Sequence, residues 1–319
     1  MANTRAIDLT VAQLADQWNA ARRNDWSPRT GREYRRQLDR WILPRLGDER
    51  VRRLTARQLD LAYSSMAADG AGPATTRVAH TILRSMLTQA VRWGPIPANP
   101  AAHARPPHEH HSPIEPPDPA AVTKVLASID ADPQLAAFVR LAATTGCRRS
   151  ELCALRWDDI DLERGSMLVA RALDGAGGIR TTKTGRAKAM ALDPATVVAV
   201  TRWRSTLTEL ALAVRAGTPE WVFPADRDLT RPVNPSVMSH RWSRAAKAEG
   251  LEGVRLHDLR HFMASRMLAA GVAVRTVANR LGHSNPATTL RVYAHLIPAA
   301  DRAAADDLGA LLDRQGGTV

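Results

Sequence analysis

The chain has 319 residues, 45% of them hydrophobic and 4% aromatic, and a formal net charge of +12. That length suits about two domains, each able to bury a core, and the lack of any long uninterrupted apolar run argues against a membrane span or a secretory signal in the opening MANTRAIDLT. Two cysteines, Cys147 and Cys153, are too few for a disulfide framework and unsuitably spaced for a zinc site, so a reducing cytoplasm is expected.

In chain order, the front third is the basic part. Residues 1–105 carry 17 arginines and no lysine against 9 acids, a net +8, whereas residues 106–319 carry 27 bases against 23 acids. A codon preference for arginine explains the residue type but not the excess at one end. Such a front third suits a polyanion, with phosphate backbones as the expected target. It reads as four amphipathic helices. Thr10 is placed to cap the first, with Val11, Leu14, Ala15 and Trp18 at helical spacing. DWSPRTGREYRRQLDRWI offers Ser27 as N-cap and Pro28 at the first helical position, with Tyr34, Leu38, Trp41 and Ile42 inward. Thr55 opens the third, and PATTRVAHTILRSMLTQAVRW forms the fourth, ending at Gly94. Arg29, Arg32, Arg35, Arg36, Arg77 and Arg84 fall on outer faces and are the candidate DNA-binding residues of this bundle, residues 1–100.

NPAAHARPPHEHHSPIEPPDPAA breaks every periodicity and reads as a semi-extended linker over 101–118. Its histidines have no partner ligands at usable spacing and read as solvated. The second domain, 119–298, starts helical to about 156 with a loop at TTGCRR. SMLVARAL and GIRTTKTGRAKAMALD then read as a hairpin or three-stranded sheet, with DGAGG as a turn. Helices follow at 194–216, 234–249, 257–270, 273–282 and 286–296, the last with Pro286 in its first turn. The tail, 299–319, is weakly helical, with Leu308, Leu311 and Leu312 forming a short apolar stripe.

Four separated segments carry reactive residue types. TTGCRRSELCALRWDDIDLE turns at Gly146 before Arg148, with Glu151 three residues on to orient a guanidinium. TTKTG holds Lys183, one of four lysines. In LHDLRHFMASRML, His257 and Arg260 share a helix face. LGHSNPATTLRVYAHL places Tyr293 ten residues after His283. Each alone has a plainer reading: a surface arginine, an exposed hairpin lysine, a capping or buried histidine, a packing tyrosine.

Together, in this order, they resemble the tyrosine recombinases, or phage integrase family. TGCRRSELCALRW is similar to that family's first arginine box, HDLRHFMASRMLAAGV to its second, and LGHSNPATTLRVYAH to its nucleophile box; the likeness extends over roughly residues 8–312. Phe262 stands where many members carry threonine. The resemblance implies a mainly α fold with a small β-sheet: a helical core-binding (SAM-like) bundle followed by an α+β catalytic domain. It implies Tyr293 as nucleophile, with Arg148, Lys183, His257, Arg260 and His283 completing the catalytic set and Glu151 as the supporting acid. It further implies double-stranded DNA with paired half-sites as partner, a homotetramer on DNA, room for an accessory directionality protein, and no cofactor, metal or membrane.

The chemistry agrees with these roles. Two guanidiniums can each grip two phosphate oxygens as charge grows in the transition state, which suits Arg148 and Arg260. A phenol of pKa about 10 must lose its proton to attack phosphorus, and His257 is the candidate base. Lys183 would supply the leaving oxygen's proton, and His283 would hydrogen-bond the phosphate. The phosphotyrosyl link conserves bond energy, so rejoining requires neither ATP nor metal. Rival readings are a metal-dependent nuclease using Asp158, Asp159, Asp161 and Glu163, a DNA-binding regulator without chemistry, and a topoisomerase. The two domains are expected to close on DNA as a clamp, and the tail to pack on a neighbouring protomer through a hinge at residues 297–300.

Overall fold

The computed structural model describes residues 8–108, 115–174, 177–181, 187–225 and 228–293, and in the tail 302, 305–306 and 308–312. It is mainly helical with small sheets, and falls into two compact units, Met1–Ser112 and Pro113–Val319.

In the first unit, α1 (Val11–Arg22) starts on a reciprocal cap: the Thr10 hydroxyl accepts the Gln13 N–H, and the Gln13 side chain accepts the Thr10 N–H. Ser27 caps α2 (Pro28–Gln37), which widens into a π turn over Leu38–Ile42 and resumes as α3 (Leu43–Leu46). Pro44 is the cause, because it has no N–H and its ring crowds the carbonyl four residues back; the Leu43 N–H donates instead to the Leu38 carbonyl, five residues back. α4 (Ala56–Ala68) and α5 (Pro73–Trp93) complete the bundle, α5 stopping on the left-handed Gly94. Trp18, Leu38, Ile42, Leu59, Met66, Ile82 and Met86 form its core. Two of the three tyrosines belong here: Tyr34 packs on Trp18 and Trp26, and the Tyr63 hydroxyl bonds His80 Nδ1 at 2.9 Å.

The outer arginines are not equivalent. Arg29, Arg32 and Arg84 are exposed and Arg77 half-buried. Arg35 is held between Asp16 (2.8 Å) and Asp39 (2.9 Å), and Arg36 by Glu33 (2.7 Å). Along α5, Arg84 and Arg92 line a shallow groove with Arg22, His80, Thr81 and Thr88.

The second unit opens with α6 (Pro119–Ser128), α7 (Pro133–Thr145) and the short α8 (Arg149–Cys153). Its three-stranded antiparallel sheet has the order β1 (Ile160–Asp161), β2 (Ser166–Val169), β5 (Lys188–Ala191). The membership differs from the expected one. The third strand comes from the DDIDLE run, whereas β3 (Arg171–Leu173) and β4 (Ile179–Thr181) pair separately. After α9 (Pro194–Ala213), β6 (Pro224–Ala225) pairs with β7 (Asp228–Pro232), a pair not foreseen because a proline stands in each strand. α10 (Pro235–Ala248), α11 (Asp258–Ala269), α12 (Val274–Leu281) and α13 (Pro286–Tyr293) follow. Phe138, Phe223, Val200 and Trp242 centre the main core, while Met263, Val277, Leu281 and Tyr293 form a smaller one that ties α11, α12 and α13 together.

Residues 294–296 of the expected last helix and the hinge at 297–300 lie outside the described residues. In the helical stretch 308–312, Leu308, Leu311 and Leu312 are exposed, at 61%, 53% and 69%.

Candidate active site

α7 ends on Gly146 at φ +65, a left-handed turn that aims its carbonyl at Arg260 Nη1, 2.6 Å away. A side chain here would strike the methyl end of Met263. Two residues on, Arg148 stands at the N-cap of α8 and is fixed by Glu151. Oε2 accepts the Arg148 backbone N–H at 2.9 Å, and Oε1 accepts Nη1 at 2.8 Å. Lys188 Nζ reaches Oε2 from β5, also at 2.9 Å. Glu151 is 2% exposed. Burial raises its pKa, but the Lys188 ammonium and the Arg148 contacts outweigh burial and hold the carboxyl below its usual range. Gly282, left-handed at φ +69, lets the Lys188 side chain pass where a Cβ would meet it.

Arg260, on α11, is 5% exposed and donates through Nη2 to the Leu281 carbonyl at 2.6 Å. Burial first, then Arg148, pulls its pKa down to about 10, so it stays charged at neutral pH. Its Nη2 also meets His283 Nε2 at 3.2 Å. A guanidinium only donates, so Nε2 presents a lone pair and Nδ1 carries the proton toward the buried Thr289 hydroxyl, 2.8 Å away. Burial, then Arg260, Arg148 and Lys188, lowers His283 to about 4. The expected phosphate donor is therefore a neutral ring that here accepts from Arg260.

Tyr293 ends α13 with 2% exposure, and its hydroxyl lies 2.7 Å from His261 Nδ1. Burial pushes the phenol up to about 12, with Arg260 opposing. His257, the base expected from the sequence, makes no hydrogen bond to that hydroxyl. His257 sits at the start of α11 and reaches solvent, whereas His261, one turn further along the same face, reaches α13. The two rings stand edge-on, 5.3 Å apart. Burial, then His261 and Arg260, lowers His257 to about 4. It lines a cleft of about 470 Å³ with Cys147, Arg148, Arg149, Ser239 and Arg255.

Arg148, Glu151, Arg260, His283 and Tyr293 thus converge, with His257 at the rim. Lys183 lies outside the described residues. Two participants were missed, His261 and Lys188. His261 follows Arg260 directly and is four residues from His257, a spacing that marks a shared face; Lys188 stands two residues before the buried Met190 and so shares its inward face of β5. Arg149, indistinguishable from Arg148 by residue type, turns instead to Ser239 Oγ at 2.6 Å. In the DDIDLE run, Asp159 caps the Arg156 N–H and grips Arg171 at 2.6 Å, and Asp161 accepts the Arg164 N–H. No group of three or more His, Cys, Asp or Glu placed to hold a metal occurs among the described residues.

Arg148 lowers the proton affinity of Arg260 and shares the Glu151 carboxylate with Lys188, while His257 and His283 beside them are neutral. Such a site favours an anion with several oxygens, placed within reach of a phenol.

A model of the phage integrase family matches residues 120–299, and one of the phage integrase central domain matches residues 11–106. The chain belongs to the phage integrase family. It is a tyrosine recombinase, an enzyme that breaks and rejoins DNA. A putative prophage phiRv2 integrase of Mycobacterium tuberculosis is 30% identical over 298 residues, covering 90% of this chain and 75% of that protein. A XerC-like tyrosine recombinase of Caldanaerobacter subterraneus is 23% identical, with 80% and 70% covered. Among solved structures, a Tn1549 transposon integrase in complex with transposon right end DNA superposes with a TM-score of 0.80 at 20% identity, over 94% of this chain and 100% of that one. A lambda integrase tetramer bound to a Holliday junction gives 0.70 at 19% identity, over 89% and 78%.

Proposed function

We propose that this recombinase is site-specific and cleaves DNA through Tyr293, forming a 3′-phosphotyrosyl intermediate without metal or ATP. The observation that carries the reading is the Tyr293 hydroxyl, hydrogen-bonded to an imidazole in the same unit that holds the Arg148–Glu151 and Arg260–His283 pairs. Arg148 and Arg260 clamp the phosphate, His257 at the rim contacts its oxygens, His283 braces Arg260 and would reach the phosphate only by giving up that bond, and Lys183 protonates the leaving 5′ oxygen. Glu151 holds Arg148 in place. The phosphotyrosyl bond keeps the energy of the phosphodiester, so a 5′-hydroxyl can reverse the step with no external energy source.

The basic first unit, residues 1–100, grips the duplex backbone, and the second carries the chemistry, with residues 101–118 as the linker. Two duplexes with paired half-sites and four copies of the chain form the assembly. The exposed leucines 308, 311 and 312 supply a stripe for the neighbouring copy. An accessory directionality protein belongs with the choice between integration and excision.

The test uses full-length Tyr293→Phe to select a core sequence from a randomised duplex pool. That core, nicked beside the cleavage position, is then offered to both proteins in EDTA. Wild type is expected to trap a covalent adduct on a denaturing gel, and Tyr293→Phe to bind equally but trap none. An adduct with the variant, or none with wild type unless Mg²⁺ is added, would overturn the reading.

A further inference from the structure

The site contains two histidines on one helix face, and only the inner one touches the nucleophile. His261 Nδ1 lies 2.7 Å from the Tyr293 hydroxyl, and the ring centroids are 5.9 Å apart with a 51° tilt. We propose that His261, through Nδ1, receives the phenolic proton as Tyr293 attacks phosphorus. The inference rests on the recombinase reading and deepens it by naming the group that activates the nucleophile.

A phenol is the donor in such a pair when the imidazole is neutral with its free lone pair on Nδ1. The surroundings favour that state. Burial lowers the pKa of His261, Arg260 of its own helix and Arg255 just before it act in the same direction, and Asp258 opposes. The edge-on His257 ring is itself neutral at pH 7, so it places no charge against an imidazolium formed beside it. From α13 the group that faces His261 is Tyr293.

With the phenol pushed up by burial and the imidazole pushed down by it, complete transfer before attack is disfavoured, so transfer and attack coincide. The O–H bond breaks toward Nδ1 as the phenolic oxygen bonds to phosphorus. The P–O5′ electron pair leaves with the 5′ oxygen, which takes a proton from a separate donor. In rejoining, the 5′-hydroxyl attacks and gives up its proton, and the departing Tyr293 oxygen recovers its own from His261.

Two measurements test this. In the free full-length protein at neutral pH, long-range ¹H–¹⁵N spectra should show His261 protonated on Nε2, with Nδ1 accepting a hydrogen bond; a proton on Nδ1 would overturn the proposal. On the selected suicide duplex, His261→Gln and His261→Asn should bind as wild type does but form adduct at least ~100-fold more slowly. Replacing Tyr293 by the more acidic 2,3-difluorotyrosine should return at least ~10-fold in those variants and little in wild type, which a purely structural role for His261 would not produce. A loss below ~10-fold, or one that the fluorinated phenol does not relieve, would overturn it. Should wild type form no adduct, the recombinase reading fails by itself, and the tautomer, read without DNA, still decides the inference.

Discussion

Glu151 is the residue on which the site's electrostatics turn, because one buried carboxylate answers both Arg148 and Lys188. Glu151→Gln keeps the shape and removes the charge, leaving the nearly buried Lys188 ammonium without its counter-ion. The expected cost in a urea titration is about 3 kcal/mol. Adding Lys188→Met should restore most of that stability but not adduct formation, since Arg148 remains unanchored. Joint recovery of both would show that Glu151 acts through stability alone. The perturbed pKa values also set a pH profile. His257 and His283 have folded pKa values near 4, below their usual 6.5, so the unfolded chain binds more protons between those values. Their contribution is complete above 6.5 and is lost as pH falls toward 4, where the lowered Glu151 adds its own loss. Tyr293, raised from 10 to about 12, contributes fully below pH 10 and loses that contribution as pH rises to 12. Melting temperatures should therefore plateau between these limbs. Tyr293→Phe should make only the alkaline limb shallower, the rest of that limb coming from Tyr63, whose phenol burial also raises, and His283→Asn should shallow the acid one.

Elements position these groups through their ends more than their lengths. The C-terminus of α7, the N-cap of α8, the start of α11 and the last residue of α13 meet because Gly146 and Gly282 let the chain turn left-handed at two helix ends. Gly146→Ala would add about 1–2 kcal/mol of backbone strain and would also press on Met263. Paired with Met263→Ala in a double-mutant cycle, it should cost less than the two single changes summed, because the side-chain clash disappears while the strain persists. Strict additivity would mean that Met263 moves aside without cost. Element boundaries were well marked where a cap residue or Pro at the first position announced them, as at Thr10, Ser27, Thr55 and Pro286. They were poorly marked where pairing with a distant strand decided the state. Ile160–Asp161 is too short to show alternation, and the prolines in β6 and β7 mask a pair that forms regardless.

For the whole molecule, the uneven charge predicts how binding responds to salt. Arg29→Gln with Arg32→Gln should reduce the slope of log K against log salt by about 0.9 for each phosphate no longer neutralised. Arg35→Gln should change it less, because Asp16 and Asp39 already neutralise that guanidinium. Equal effects would mean that the ion pairs open on DNA. Deleting residues 299–319 should leave binding to one half-site intact and abolish cooperative filling of two, as read by gel-shift titration. Retained cooperativity would place the leucine stripe on its own protomer.

Local chemistry written into consecutive residues was readable directly: helix caps, the amphipathic faces of the bundle, the excess of arginine, and the boxes around Arg148, Arg260 and Tyr293. Each depends on spacings within one or two helical turns, which backbone geometry converts into a shared face. The choice between chemically identical neighbours was not readable. Nothing local distinguishes Arg148 from Arg149, or tells which of His257 and His261 meets Tyr293, because the answer depends on where α10, α13 and β5 come to lie. Only the packed unit, by burying Glu151 against Lys188 and Tyr293 against His261, gives these side chains partners and moves their protons. Burial and long-range pairing are properties of the folded chain, so the site's electrostatics were decided there.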